Sequence, residues 1–245
     1  MAIDKQQFIS TLNRVFTKNK LASYLSVERC EKFYRLTERM LEENEKYNLT
    51  AITDPEKIIL GHYADCAVLA KLLPKGVSVI DVGCGAGFPT LPLAILRDDL
   101  RITAIDSTAK RVEYVKGSAE LLGLTNVTAV TMRAEDGARL PEYREKFDYA
   151  TARAVAQMRI LAELCMPYVK QGGKFVAMKG KNAEGELKDA KRAIAMLGGR
   201  DTSLETVTLS SDTEELSHPL IFVTKKEKTP ALYPRPYAQI SKKPL

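Results

Sequence analysis

The sequence lacks long apolar runs, and cysteine and histidine are scarce. No stretch approaches about 18 consecutive apolar residues, and the opening MAIDKQQF has no apolar core of a signal peptide. The four cysteines lie far apart without a CxxC pair, and the two histidines, His62 and His218, form no cluster. These absences argue against a membrane anchor, a zinc site and a disulfide framework. We therefore expect a soluble, cytoplasmic protein without a metal or a membrane partner.

Charge is nearly balanced along most of the chain, which has 245 residues and a net charge of +6. The basic excess is concentrated at the end, because Lys225 to Leu245 contains six basic residues and one acid. Such a segment indicates a polyanionic partner or, alternatively, a solvated end that aids solubility.

Hydrophobic periodicity changes near residue 76. Before it, apolar residues recur at helical spacing, as in Phe8, Leu12, Val15 and Phe16, and Asp54-Pro55-Glu56 is a helix-start signal. After it, short β-branched runs alternate with helix-length segments, which predicts a parallel sheet with crossover helices. Two closing runs, SLETVTLS and HPLIFVTKK, have no helix between them and predict an antiparallel hairpin at one edge.

These patterns predict three parts. Residues 1–75 form an N-terminal helical extension, residues 76–228 an α/β domain with a mostly parallel seven-stranded sheet, and residues 229–245 a basic tail. The length favours one domain, or one domain with a smaller appendage, and a monomer is expected.

The first predicted strand ends in a glycine loop, Asp81-Val82-Gly83-Cys84-Gly85-Ala86-Gly87, followed by Phe88 and Pro89. Ligands of open α/β sheets bind beyond the carboxyl ends of the strands, where strand order reverses. A nicotinamide fingerprint would need glycine at position 88, and a phosphate-binding loop would need Gly-Lys-Ser/Thr. Neither pattern is present.

The acid two residues before G-x-G-x-G resembles motif I of S-adenosylmethionine (SAM) methyltransferases. SAM is a sulfonium without phosphate, so a carboxylate suits this loop better than a lysine. The second strand ends at Asp106, where an acid can accept hydrogen bonds from ribose hydroxyls. Arg133-Ala134-Glu135-Asp136 closes the third strand, where enzymes of this class contact adenine. The resemblance implies a Rossmann-like class I SAM-dependent methyltransferase fold.

The end of the fourth strand, Asp148 to Ala154, bears on the methyl acceptor. It has no Asn/Asp-Pro-Pro-aromatic run of the kind that serves exocyclic amines, and Cys165 is interpreted as a buried apolar residue rather than a nucleophile. Guanine N7 can take a methyl group without losing a proton, so it needs orientation rather than a base. Arg153 could orient the cofactor or the base edge, or form an ion pair with Asp148 or Glu135.

Several segments together resemble the RsmG (GidB) family of bacterial rRNA methyltransferases, from about Leu41 to the C-terminus. They are Asn48-Leu49-Thr50-Ala51-Ile52, His62 with Asp65, DVGCGAGFP, IDSTAKR, RAED, TARAVA and VAMKG. Thr90 departs from the family, in which glycine is frequent there.

This resemblance implies SAM-dependent methylation of N7 of one guanine in 16S rRNA, near the decoding centre of the small ribosomal subunit, with S-adenosylhomocysteine as product. No general base is expected. With Gly85 and Gly87 of the loop, the implied cofactor contacts are Gly83, Phe88, Asp106, Ala134, Glu135 and Arg153.

Basic residues near the cleft would hold the RNA backbone. The candidates are Arg133, Lys179, Lys181 and Arg235, with Lys225, Lys226, Lys228, Lys242 and Lys243 farther out, and Phe88 and Tyr63 are candidate stacking partners. Two other functions remain open on the sequence alone. One is a non-catalytic, SAM-binding ribosome-assembly factor, and the other is a small-molecule methyltransferase.

Overall fold

A computed structural model describes residues 3–245 and contains one seven-stranded sheet with strand order β3-β2-β1-β4-β5-β7-β6. The first five strands in sequence run parallel, and β7 is antiparallel to both β5 and β6. This arrangement confirms the predicted α/β class and the antiparallel hairpin at one edge.

The N-terminal part is helical, as predicted, apart from residues 1 and 2, which lie outside the described residues. Its helices are α1 (Lys5–Lys18), α2 (Val27–Tyr47), α3 (Pro55–Ile58) and α4 (Asp65–Leu72). Helix α1 forms because its apolar residues fall on one face, and all four predicted ones are buried. Asp54 caps α3 by accepting a hydrogen bond from the backbone of Lys57. A wide π-helical turn, Ile59–Ala64, joins α3 to α4.

The α/β part alternates strands and helices. Its strands are β1 (Ser78–Val82), β2 (Arg101–Asp106), β3 (Val127–Thr131), β4 (Phe147–Arg153), β5 (Val169–Met178), β6 (Gly199–Ser210) and β7 (Glu215–Lys225). Its helices are α5 (Thr90–Leu96), α6 (Ala109–Leu121), α7 (Ala134–Gly137), α8 (Met158–Cys165) and α9 (Ala183–Met196), and the C-terminal segment forms α10 (Tyr237–Lys242). No helix in residues 3–245 combines the length and apolar content needed to cross a bilayer.

Apolar residues cover both faces of the sheet. Val79 belongs to a core that includes the N-terminal helices, α5 and α6, whereas its neighbour Ile80 belongs to a second core with α8 and α9. Neighbouring residues of a strand point to opposite faces, so strands that are buried on both faces, such as β1, are expected in a sheet covered on both sides. The N-terminal helices thus complete one of the two cores.

The C-terminal segment, residues 229–245, is packed against the α/β part. Arg144 donates hydrogen bonds to the carbonyls of Thr229 and Tyr233, and Arg159 donates to the carbonyls of Pro244 and Leu245. The Ile240 side chain is fully buried.

Lys225, predicted to lie on the RNA-facing exterior, is fully buried instead, and that prediction is wrong. Its ammonium donates to the Met166 carbonyl and the Thr229 hydroxyl and lies 3.3 Å from a Glu145 oxygen. Burial lowers the pKa of Lys225 to about 8, an effect that Glu145 opposes.

Candidate functional site

The glycine loop lies where strand order reverses. β1 is flanked by β2, which continues toward β3, and by β4, which continues toward β5, so the two halves of the sheet diverge from it. The loop backbone is tied to β2, because the amides of Gly83 and Cys84 both donate to the Ile105 carbonyl at 2.8 and 3.0 Å. This is the place at which an open α/β sheet forms its ligand crevice.

Gly83 has a conformation and surroundings that other residues would disturb. Its φ is +79°, and a Cβ built on it would lie 2.7 Å from Cγ2 of Val155. Gly85 and Gly87 also have positive φ, at +53° and +84°. The loop therefore presents bare backbone to the cleft.

Asp81, at the end of β1, is a fully buried carboxyl group. One oxygen accepts a 2.6 Å hydrogen bond from the hydroxyl of Thr90, the residue at which this chain departs from the family pattern. Its other oxygen, Oδ1, has no hydrogen-bond partner within residues 3–245. Burial raises the pKa of Asp81 to about 7, and the Thr90 hydrogen bonds counteract that rise. Asp81 is therefore a buried group beneath the loop and is not among the residues that line the cleft.

Asp106 ends β2, as predicted, and faces the loop. One oxygen accepts from the Gly85 amide at 3.0 Å, and the other accepts from the Thr108 amide at 2.8 Å, just before α6. Arg111 lies 3.6 Å from the first oxygen. Asp106 therefore fixes the loop and the start of α6 while bordering the cleft.

After β3 the chain places Arg133, Ala134 and Glu135 along the same cleft. Arg133 donates to the Glu135 carboxylate at 2.9 Å, and its guanidinium lies 5.7 Å from the ring centre of Tyr237. The carbonyl of Ala134 accepts a hydrogen bond from the Tyr168 hydroxyl. The Glu135 carboxylate and the Arg133 guanidinium therefore lie side by side at the end of the cleft that follows β3.

Arg153, the last residue of β4, is held by the N-terminal part. Its guanidinium donates to an Asp65 oxygen at 2.9 Å, to the Gly61 carbonyl at 3.1 Å and to Nδ1 of His62 at 2.6 Å. The other Asp65 oxygen lies 3.0 Å from Nδ1 of His218, on β7.

The alternative interpretation of Arg153 from the sequence, an ion pair with Asp148 or Glu135, is wrong about the partner, because Arg153 pairs with Asp65. Asp148 instead accepts from the Ser78 amide and hydroxyl and pairs with Lys170, and these contacts hold its pKa down, to about 2, against the effect of burial. Glu135 pairs with Arg133.

Phe88 closes the end of the cleft at which Arg153 and His62 lie. Its ring centre lies 4.4 Å from that of His62 and 5.3 Å from the Arg153 guanidinium. Burial, and next the Arg153 charge, lower the pKa of His62 to about 4, so the imidazole is neutral near pH 7. Tyr63, the other candidate stacking partner, is fully buried and hydrogen-bonded to Thr37, so that prediction is wrong.

The cleft formed by these residues has a volume of about 550 Å³, within the usual range for small-molecule sites. A second cavity of about 750 Å³ lies among the N-terminal helices, and the glycine loop and strand ends take no part in its lining. Among the described residues no group of three His, Cys, Asp or Glu side chains could hold a metal ion. Cys165 is fully buried in α8, and burial raises its pKa well above the ordinary value, as expected for an apolar role.

The four basic residues predicted to contact RNA differ in exposure. Arg133 and Lys181 are exposed, whereas the Lys179 ammonium is bound to the Ala156 carbonyl and to Glu186. Arg235 donates three hydrogen bonds to the fully buried Glu163, two from its guanidinium and one from its backbone.

Sequence reasoning gave no role to several residues at the site. His62 and Asp65 were assigned only to a family resemblance, His218 entered only as a histidine outside any cluster, and Tyr237 was not considered. No short-range pattern marks His218 or Tyr237, because their positions depend on β7 and on the course of the C-terminal segment.

Comparisons with known proteins agree with this geometry. The sequence model of one family, described as rRNA small subunit methyltransferase G, matches residues 29–215. The chain is 46% identical over 220 residues to "Ribosomal RNA small subunit methyltransferase G" of Clostridium perfringens, covering 89% of this chain and 91% of the relative. It is 43% identical over 233 residues to the protein of the same name from Lactobacillus delbrueckii subsp. bulgaricus, covering 94% and 97%.

Solved structures share the fold at low sequence identity. A Bacillus cereus O-methyltransferase in complex with SAH has a TM-score of 0.53 and 16% identity, covering 78% of this chain and 91% of that one. A SAM-dependent O-methyltransferase from Thermotoga maritima has a TM-score of 0.53 and 16% identity, covering 77% and 72%. These similarities establish the class I methyltransferase fold of this chain.

Proposed function

This chain belongs to the GidB family of small-subunit rRNA methyltransferases, and from that premise we propose that it transfers a methyl group from SAM to N7 of one guanine in 16S rRNA, near the decoding centre. The observation that carries the proposal is the cleft at the strand-order reversal, with bare glycine backbone on one side and Asp106 on another. We place the reaction in the cytoplasm, where ribosomal subunits are assembled, and propose a monomer as the active form.

The residues present fit SAM. The glycine loop borders the cleft with bare backbone, and a Cβ at Gly83 would push the Val155 side chain that also lines it. Asp106, at the end of β2, can accept hydrogen bonds from ribose hydroxyls. At the other end of the cleft, Ala134 and Glu135 offer backbone and carboxylate to the adenine.

Bound SAM supplies an electrophilic methyl group, and guanine N7 can accept it through its lone pair without losing a proton. The chain therefore has to orient two partners and exclude water rather than move a proton. Phe88, Leu49 and Val155 give the cleft apolar walls. His62 is neutral at this end and so adds no positive charge beside a sulfonium.

We propose Arg153 as the orienting residue for the methyl donor or the guanine edge. Arg153 lines the cleft, and its charge alone would repel the sulfonium of a cofactor bound there. Asp65, almost fully buried, neutralises Arg153 at 2.9 Å while leaving the guanidinium at the border of the cleft. The ion pair therefore supplies a fixed donor without a net positive charge.

RNA would be held at the exterior of this cleft. We propose that Arg133 and Lys181, both exposed, contact phosphates, and that Lys179 and Arg235, which are bound to carboxylates, act mainly by fixing nearby segments. Binding should then weaken steeply as salt concentration rises.

The test uses methyl-labelled SAM with three acceptors: naked 16S rRNA, an assembly intermediate and finished 30S subunits. We expect label in one of them, together with aniline-induced chain cleavage at a single N7-methylated guanine. SAM binding without methyl transfer would favour a non-catalytic assembly factor. Methyl transfer only to small molecules would favour a small-molecule methyltransferase. A thermal-shift comparison of SAM with NAD checks the cofactor.

Asp106→Ala is expected to lower SAM affinity, because it removes the ribose acceptor and the tie to the Gly85 amide. Asp98→Ala is the matched control, since Asp98 is exposed and outside the cleft. Equal SAM affinity in the two variants would remove Asp106 from the cofactor site. Light scattering of the protein during turnover tests whether the active form is a monomer.

A further inference from the structure

We propose that Tyr237 is the adenine-stacking residue of this cleft, so that the C-terminal segment forms a wall of the cofactor site. The proposal rests on the proposed function, because it takes SAM as the ligand, and it assigns to this chain a contact outside the loop and strand ends. Tyr237 is the first residue of α10 and lines the cleft opened by the glycine loop.

The aromatic rings at the cleft differ in how much surface is free. Phe88 is 6% exposed, and both the His62 imidazole and the Arg153 guanidinium already lie against it. Tyr237 is 39% exposed, and the ring contact it makes is with the Arg133 guanidinium, 5.7 Å from its centre. A purine entering the cleft therefore finds open aromatic surface at Tyr237 rather than at Phe88.

The location of Tyr237 indicates that its ring would stack on the adenine of the cofactor rather than on the target guanine. Tyr237 contacts Arg133, which is hydrogen-bonded to Glu135, so the ring lies with the residues that follow β3. Arg153, Phe88 and His62, which would surround the methyl group, form a separate cluster with the N-terminal helices. Asp106, the proposed ribose acceptor, ends β2, which lies between β3 and the β1–β4 pair in the strand order. An adenosine anchored there directs its base toward Tyr237.

The segment that carries Tyr237 is fixed before any ligand binds. On one side of it, Arg235 is bound to Glu163 through two guanidinium hydrogen bonds of 2.9 and 2.7 Å. On the other side, Ile240 is fully buried. A ring held in place in this way loses little conformational freedom on stacking, which favours binding.

The absence of tryptophan from the sequence allows a direct test. Tyr237→Trp introduces a single tryptophan whose fluorescence an adenine stacked on it would quench. We expect saturable quenching by SAM and by 5′-methylthioadenosine, which carries the adenosine half, and none by methionine. Leu232→Trp is the control, because Leu232 is 67% exposed on the same segment and is not among the residues that line the cleft.

Calorimetric titration of the full chain gives a second measurement. Stacking on an aromatic side chain is worth roughly 1–3 kcal/mol per base, so Tyr237→Ala should weaken binding of SAM and of S-adenosylhomocysteine by at least about fivefold. Tyr237→Phe should stay within about twofold of wild type, because the ring is kept. Leu232→Ala should bind as wild type does.

Three outcomes overturn the proposal. The first is unchanged SAM affinity in Tyr237→Ala, including the case in which only the KM for the RNA substrate rises, since the ring would then face RNA. The second is an equal loss in Leu232→Ala, which would indicate general loosening of the segment. The third is failure of the wild-type chain to bind SAM, and this result alone also overturns the proposed function.

Discussion

The Arg153 guanidinium donates a 2.6 Å hydrogen bond to Nδ1 of His62, and this contact defines the state of the imidazole. Arginine can only donate, so this contact requires a lone pair on Nδ1, which places the proton of the neutral ring on Nε2. The Gly61 carbonyl, 3.1 Å from Nδ1, then accepts from Arg153 instead of from the ring. Nε2 lies 3.3 Å from the Thr50 hydroxyl, to which it can donate. The His62 ring thereby connects the end of β4, the π-helical turn Ile59–Ala64 and the segment before α3.

We expect the His62 ring to stay unprotonated down to about pH 5, because its pKa is lowered to about 4. The unfolded chain takes up this proton near pH 6.5, so the contribution of His62 to stability falls as pH drops from 6.5 towards 4, by about 3 kcal/mol over the interval. NMR titration of the two histidines measures the pKa, and His62→Gln assigns the signals. A His62 signal that titrates near pH 6.5 would contradict the prediction.

Arg153→Met should lower the free energy of unfolding by about 3–5 kcal/mol, because it leaves the Asp65 carboxylate buried without its arginine. Asp65→Leu should cost a similar amount, and the double variant should cost less than the sum of the two. Urea unfolding measures all three. The exposed pair of Lys116 and Glu113 is the control, for which the same cycle should give under about 1 kcal/mol. Strict additivity at Arg153 and Asp65 would show that the two charges act independently.

Gly83→Ala and Gly76→Ala form a matched pair. Both glycines have positive φ, +79° and +70°, so alanine should cost each roughly 1–2 kcal/mol in stability. A Cβ at Gly76 meets nothing within 4 Å, whereas at Gly83 it pushes against Val155 and moves that side chain within the cleft. SAM affinity should therefore fall about tenfold or more only in Gly83→Ala.

Adding Val155→Ala to Gly83→Ala should restore part of this SAM affinity, because the Cγ2 atom that the new Cβ would approach is removed. Calorimetry of the two single variants and the double variant measures the effect. No recovery would show that the backbone strain, and not the contact with Val155, causes the loss.

Arg235→Ala and Lys181→Ala should affect different properties. Arg235 neutralises the fully buried Glu163, so its removal should lower stability by about 3–5 kcal/mol. Lys181 is exposed, so its removal should leave stability unchanged and reduce the slope of log K against log salt by about 1. Thermal unfolding and salt-dependent RNA binding separate the two. A stable Arg235→Ala that loses only RNA affinity would return that arginine to the RNA interface.

The fold could be predicted because its signals are local. The glycines after β1 and the acid at Asp106 mark strand ends, and the carboxyl ends of parallel strands meet at one edge of the sheet. The alternation of strands and helices predicted the α/β class. The lack of a helix between the last two β-branched runs predicted the antiparallel hairpin.

The contacts of charged residues could not be predicted in the same way. Arg153 and Asp65 are 88 residues apart, and only the packing of the N-terminal helices on the sheet brings them together. Lys225 and Lys226 look alike in the sequence, but one is fully buried and the other exposed, because neighbouring positions at a strand end face opposite sides. Burial of a lysine depends on distant partners, here Met166 and Glu145, that no local pattern reveals.

The position of β7 between β5 and β6 has a consequence for synthesis of the chain on the ribosome. A nascent chain that ends in the middle of β6 has an open edge on β5, and its newest strand has no neighbour to join. Such an edge is a template for pairing with other chains until the last strand is translated and inserted. Helix α1 gains its contacts with the hairpin, through Lys18 and Ser211, equally late. Emergence of β7, rather than emergence of the first strands, should therefore set the time at which the sheet closes.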